Sequence, residues 1–343
     1  MAAERIALQR GALAHQTQRR ARVLSLAWPL LHANTQLCGE KTTRGAGLVL
    51  TTPASAMRLA KGLRRSDVLA AGHPNGVMAA ALADGAPAMR AGLRQGDQIL
   101  AVNGESLPPD ISDKRLGKLM SKALKTDAPV RLLAAHDKTP PEEIFIEPET
   151  ICDFSVAVGQ SSAINAYTDG KSLVVLPGLE RALGDDDEAL RYVLAHELAH
   201  AILRHPRKLR RNAIVSGGAV LGPLASLGGA IADAGYALAG AQRPIKLRKA
   251  GSALVTYPYG AEFEREADYV GLYLHARAGG RLEGLEDLYT LFSREHPANT
   301  WLSISHPTAP ERRVAVMAIR DEIEAKQAAD EPLIPEGFEA LSR

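Results

Sequence analysis

His196-Glu197-Leu198-Ala199-His200 places two imidazoles at i and i+4 with a carboxylate between them. Zinc accepts imidazole nitrogen at about 2.0–2.1 Å, and two histidines one helical turn apart can converge on one ion. Glu197 then stands where it can take a proton from water activated by that ion. The spacing requires a helix. Leu190, Val193, Leu194, Leu198, Ala201, Ile202 and Leu203 recur at helical spacing, Asp185 to Asp187 can cap the start, and Pro206 is the expected stop. Taken alone, the five residues would also suit a plain helix with surface histidines.

A third ligand has to come from another element. Glu262-Phe263-Glu264-Arg265-Glu266-Ala267-Asp268 runs into Val270, Leu272, Tyr273 and Leu274, which predicts a second helix with one apolar face. Glu264 and Asp268 share a face at i, i+4. A carboxylate from this helix completes a His-His-Glu set with the fourth position open, and an Asp one turn along can accept the free N–H of a ligand histidine. The alternative is an acidic helix start favoured by the macrodipole. A zinc pattern with Gly and a third His just beyond the first motif does not apply, because Leu203 and Pro206 hold those positions and His205 comes one residue early.

HELAH, then EFEREAD, then Ser305-His306-Pro307 followed by Arg312, in that order, resemble metallopeptidase family forty-eight, the gluzincin group of HtpX, BepA and the CAAX prenyl proteases. Asn165-Ala166-Tyr167-Thr168-Asp169-Gly170-Lys171 followed by Leu173-Val174-Val175-Leu176 resembles that family's strand before the zinc helix. The likeness covers about residues 150 to 320. It implies one zinc per chain held by His196, His200 and Glu264, with Glu197 as general base and Asp268 behind the ligands. In the family pattern the Glu four residues before the Asp is the ligand, so Glu262 and Glu266 are passed over. The resemblance also implies catalytic or latching roles for His306 and Arg312, holding substrate or the oxyanion or covering the metal, and a substrate edge strand at Asn165, Ala166 and Tyr167. No repeat array follows the catalytic core, so a chaperone half like that of BepA is not expected.

The elements that must hold these residues come next. At 343 residues, 46% of them hydrophobic, the chain can bury two cores. A net charge of +2 and 4% aromatics argue against a nucleic-acid partner. Residues 83 to 104, ADGAPAMRAGLRQGDQILAVNG, look like the core of a PDZ domain. Gly92 and Gly96 permit backbone reversals, Asp97 can cap the turn, Ile99 and Val102 face the core, and Asn103-Gly104 makes a hairpin. Leu116 to Leu124 is the expected groove helix and Val130 to Ala134 a closing strand. Such domains bind an extended C-terminal peptide at a sheet edge. The carboxylate loop is expected near Gly45 to Val49, where a structural turn is the competing reading.

Residues 4 to 33 predict a long helix with Ile6, Leu8, Leu13, Val23, Leu24, Leu26, Trp28, Leu30 and Leu31 as the apolar set, assigned to the protease for want of another core. The expected fold is therefore α+β. A mainly helical zincin-type domain with a small sheet (1–40 and 150–343) is interrupted by a PDZ-type partly open β-barrel (45–136). Cys38 and Cys152 flank the insertion, and a bridge between them would close a loop of more than 100 residues in an oxidising compartment. Residues 213 to 232 carry no charge and lie between basic flanks, so 207 to 249 are a candidate membrane-surface contact. Their glycines make a spanning helix a poor fit, and a buried Gly/Ala helix pair is the alternative. The start lacks an apolar leader core, so the expected place is the periplasm or envelope with the leader replaced, or else the cytoplasm. The function expected is a zinc endopeptidase acting on extended or unfolded protein in envelope quality control. A PDZ-bearing chaperone or adaptor with a latched or structural zinc site is the alternative.

Overall fold

The computed structural model describes residues 2–59, 65–70, 73–136, 139–215, 260–295 and 310–342. They form two compact units, residues 2–35 with 39–158 and residues 36–38 with 159–342, and the architecture is α+β.

The first unit opens with α1 (Ala2–Ala33); the single turn α2 (Thr35–Cys38) follows it in the chain, and residues 36–38 of that turn belong to the second unit. Val23, Leu24, Ala27, Leu30 and Leu31 repeat at helical spacing and are fully buried. They pack on β3 (Val77–Leu82), β8 (Glu149–Cys152) and β9 (Ser155–Val158), so the apolar face that the sequence assigns to the protease is covered within this unit. β1 (Thr42–Gly45) pairs antiparallel with β8, Thr42 opposite Cys152.

The remaining strands of this unit are β2 (Leu48–Thr51), β4 (Gln98–Val102), β5 (Glu105–Ser106), β6 (Val130–Ala135) and β7 (Glu142–Ile146). Their order is β2-β3-β4-β6-β7 with β5 on β4, all neighbours antiparallel. Helices α3 (Pro53–Leu59), α4 (Arg65–Ala70), α5 (Pro87–Arg90) and α6 (Asp113–Leu124) complete the unit. The Ser112 side chain caps α6 by accepting from the Arg115 amide. Leu48, Leu50, Val77, Ile99, Val102, Leu116, Met120 and Leu132 share one core. Ile99 and Val102 are three apart and would face opposite ways in a regular strand, but a register shift between Ile99 and Ala101 brings both inside. Asn103 (φ 49°) and Gly104 (φ 83°) form the two-residue turn between β4 and β5. β7 has no clear alternation in the sequence, because Phe145 on its open face is apolar yet exposed. In the 45–49 segment a Cβ on Gly47 would come within 2.2 Å of Ala86, and the Ala46 and Gly47 carbonyls accept from Ala88 and Ala83.

The second unit begins with a hairpin of β10 (Ala166–Thr168) and β11 (Ser172–Val175), Tyr167 opposite Val174. α7 (Pro177–Leu183) leads into α8 (Asp187–Ile202), whose first turn is capped by Asp186 accepting from the Ala189 amide. α8 ends earlier than expected: Arg204 turns left-handed (φ 60°), and His205-Pro206 opens α9 (His205–Val215) in place of acting as a stop. α10 (Ala261–Arg277) packs along α8, α12 (Pro310–Ala328) packs on α10, and α11 (Asp287–Glu295) contacts α12. α13 (Phe338–Leu341) closes the chain. Nearly every residue of α8 from Ala189 to Ile202 is buried, so the two histidines lie inside the unit and not on its surface. Cys38 and Cys152 are disulfide-bonded, and neither thiol is free. Among the described residues no helix is long and apolar enough to cross a membrane, and 216–259, most of the proposed membrane-contact segment, lie outside them.

Candidate metal centre

α8 presents His196 and His200 one turn apart, and α10 brings Glu264 to them. The close approach of the two helices depends on Gly271: a Cβ there would sit 3.0 Å from the His196 Cα. The two Nε2 atoms are 3.0 Å apart, and each lies 3.4 Å from a different oxygen of the Glu264 carboxylate. All three side chains are buried. Ligand atoms placed tetrahedrally about zinc at about 2.0–2.1 Å are separated by roughly 3.3 Å, so the observed spacings fit that ion. The donor chemistry agrees, two borderline nitrogens and one hard oxygen with no lysine or cysteine among them.

A second layer fixes the rings. His196 Nδ1 is 3.0 Å from Asp268 Oδ1, and that carboxylate also accepts from Tyr289 Oη at 2.8 Å and Tyr192 Oη at 3.3 Å. Arg312 closes the arrangement: Nε and Nη2 each donate to Asp268 at 2.7 Å, while Nη1 is 2.8 Å from Glu264 Oε2. Burial opposes the charge on Asp268, yet Arg312 and His196 outweigh it and hold its carboxyl well below the usual carboxylate range. Burial likewise works against the His196 cation, but hydrogen bonds to Asp268 and Glu264 raise it above its ordinary value. His200, with no such carboxylate behind it, is pulled down to about 4, chiefly by burial. Arg312, expected to meet substrate or oxyanion, is thus buried and engaged with the carboxylates of the site itself.

His200 is backed by residues that spacing alone did not single out. Its Nδ1 is 2.8 Å from His205 Nδ1, and His205 Nε2 is 2.8 Å from Glu266 Oε2. Phe263 stacks on the His205 ring at 4.4 Å. An ionised Glu266 only accepts, so His205 carries its hydrogen on Nε2 and offers the Nδ1 lone pair. His200 then donates from Nδ1, leaving the lone pair of its Nε2 toward His196 and Glu264. Glu266, passed over as a ligand, serves this relay. Glu197 is buried on α8 next to His196. Ala166 and Tyr167 lie in β10, an outer strand paired with β11, with Asn165 just before it. His306 lies outside the described residues.

The sequence profile of peptidase family M48 matches residues 144–320, more than half of the chain. The chain belongs to peptidase family M48. This M48 peptidase is accordingly a metalloprotease, a hydrolase of a zinc-dependent family. A PDZ domain profile matches residues 79–124, within the first unit's sheet and α6. A search of curated proteins gives no match to this M48 chain.

Proposed function

We propose that this M48 peptidase is a zinc endopeptidase that cuts extended or unfolded protein segments, with His196, His200 and Glu264 as its ligands. The observation that carries the reading is the convergence of two imidazole Nε2 atoms and one carboxylate at 3.0–3.4 Å in a buried site. Zinc held there supplies Lewis acidity toward a scissile carbonyl and makes water more acidic. Glu197 takes the proton of the attacking water and returns it to the leaving amine. Asp268 keeps the His196 Nδ1 hydrogen in place, and Arg312 balances the charge of Asp268 and Glu264, which is a positioning role and not an oxyanion contact. Substrate runs along Asn165 to Tyr167 as an added strand, and His306 latches or steadies the open side of the metal. The domain at 45–136 recruits substrates through their C-termini. A paired Cys38 and Cys152 supports work in an oxidising compartment, the periplasm or envelope, on misfolded proteins. Metal analysis of the purified protein with cleavage of casein and of unfolded envelope proteins tests the reading. About one zinc per chain and chelator-sensitive cleavage are expected, and a zinc-loaded protein that cuts neither substrate would refute it.

A further inference from the structure

α1 does not close fully on the sheet of the first unit. Over its middle turns a cavity of about 260 Å³ separates Leu13, Thr17 and Arg20 from Met78 and Ala80 on β3. Thr51, Ala56, His73 and Gln95 also line it. Three side chains around it are more than nine-tenths buried and polar: Arg20 at 7%, Thr51 at 3% and His73 at 8% exposure. Arg20 makes no hydrogen bond or ion pair with the described residues, and burial alone draws its pKa down to about 10, which leaves it charged at neutral pH. The Thr51 hydroxyl and the His73 Nε2 are also buried without partners. His73 Nδ1 donates to the Pro74 carbonyl at 2.8 Å, and burial disfavours the cation, so Nε2 is an acceptor. No carboxylate lines the cavity among the described residues.

Buried polar groups are almost always hydrogen-bonded, and an unpaired buried charge is costlier still. Thr51 and His73 are two such exceptions around one cavity, and Arg20 brings to it a charge with no ion pair among the described residues; a molecule that satisfies all three accounts for them together. Arg20 and Thr51 ask for an anion with acceptor oxygens, and His73 asks for a donor close by. Leu13, Ala56, Met78 and Ala80 ask for an apolar body. A cavity of about 150 Å³ holds benzene, so this one accommodates roughly ten heavy atoms.

We propose that this cavity binds a small carboxylate with a short aliphatic stem and one adjacent hydrogen-bond donor, its carboxylate on Arg20 and its stem on Met78 and Ala80. Two sources carry that chemistry: a free 2-hydroxy acid, and the last residue of a peptide, whose amide N–H adjoins its terminal carboxylate. The site is separate from the metal centre and from the 45–49 loop, which contributes no lining residue.

Calorimetric titration of the full-length, disulfide-bonded protein tests the proposal. 2-Hydroxyhexanoate, its uncharged amide, inorganic phosphate, and a leucine-terminated tetrapeptide with free or amidated C-terminus are the probes. Binding of the hydroxy acid or the free-carboxyl peptide with Kd below about 1 mM is expected, at least tenfold weaker for the matching amide and for phosphate. The tighter of the two binders identifies the source. Arg20→Met should weaken binding at least tenfold while raising the melting temperature of the unliganded protein, since it removes an unpaired buried charge. Met78→Trp keeps Arg20 and fills the cavity, and should block binding independently. No heat from either carboxylate up to about 10 mM would mean that the cavity holds only water. Equal binding by wild type and both variants, or phosphate as tight as the acids, would also overturn the proposal.

Discussion

His196 and His200 differ in what stands behind them, and that difference is testable. Asp268 backs the first ring and the His205–Glu266 pair backs the second. Partners of this kind are worth about 10- to 100-fold in metal affinity. His205→Ala should therefore weaken zinc by that factor in competition with a chromophoric chelator, while His205→Asn, which can still accept from His200, should recover part of it. Unchanged affinity in His205→Ala would remove the relay from the account. The HELAH spacing was legible because i, i+4 geometry is local to one helix. Tyr192, Tyr289 and the contact of Arg312 with Asp268 were not, because they join α8, α10, α11 and α12 across 21 to 76 residues of sequence. His205 was read only as a ligand in the wrong place, since no pattern of spacing shows an imidazole turned to a neighbouring imidazole.

At the scale of elements, the α8–α10 pair is the structure that makes the site. Gly271→Ala puts a methyl against the His196 backbone, where no flexible side chain can yield. It should destabilise by about 1–3 kcal/mol in urea unfolding and weaken zinc binding as well. Equal stability with the wild type would mean that the helices are not in close contact there. His275 in α10 gives a pH test away from the ligands. Burial lowers its pKa below 6.5, while its Nε2 donates to the Arg281 carbonyl at 2.8 Å. With the folded value below the unfolded one, the unfolded state takes up the proton first. The stability is whole above about pH 6.5 and falls as the pH drops below it. His275→Gln should be less stable overall yet show a shallower fall in urea midpoint between about pH 7.5 and 5.5 than the wild type. An identical slope would show that His275 does not carry the dependence. Both helices, the Asn103-Gly104 turn and α6 could be read from the sequence. The break at Arg204 could not, because a non-glycine residue with positive φ has no strong local signal.

Across the whole molecule, α1 finds partners that the sequence does not name, and Cys38 and Cys152 pair as their flanking positions predict. The apolar repeat of α1 predicts that it is buried but not by what, and β3, β8 and β9 are the answer. Cutting out residues 45–136 would therefore strip β3 from α1, so substrate recruitment is better tested on the substrate. Amidating the C-terminus of an unfolded protein substrate should raise KM and leave kcat alone, whereas an equal fall in kcat would mean that the domain shapes the catalytic site. The Cys38–Cys152 bond closes more than 100 residues, worth about 4.7 kcal/mol on the loop-entropy account. Reduction should lower the melting temperature with zinc retained. The chemistry turns on Glu197 as base and not ligand, and the turnover of Glu197→Gln at full zinc occupancy decides it. About one bound zinc per chain and cleavage slowed by at least 10²-fold are expected; a zinc-loaded variant cutting within a few-fold of the wild type would mean that Glu197 is not the base.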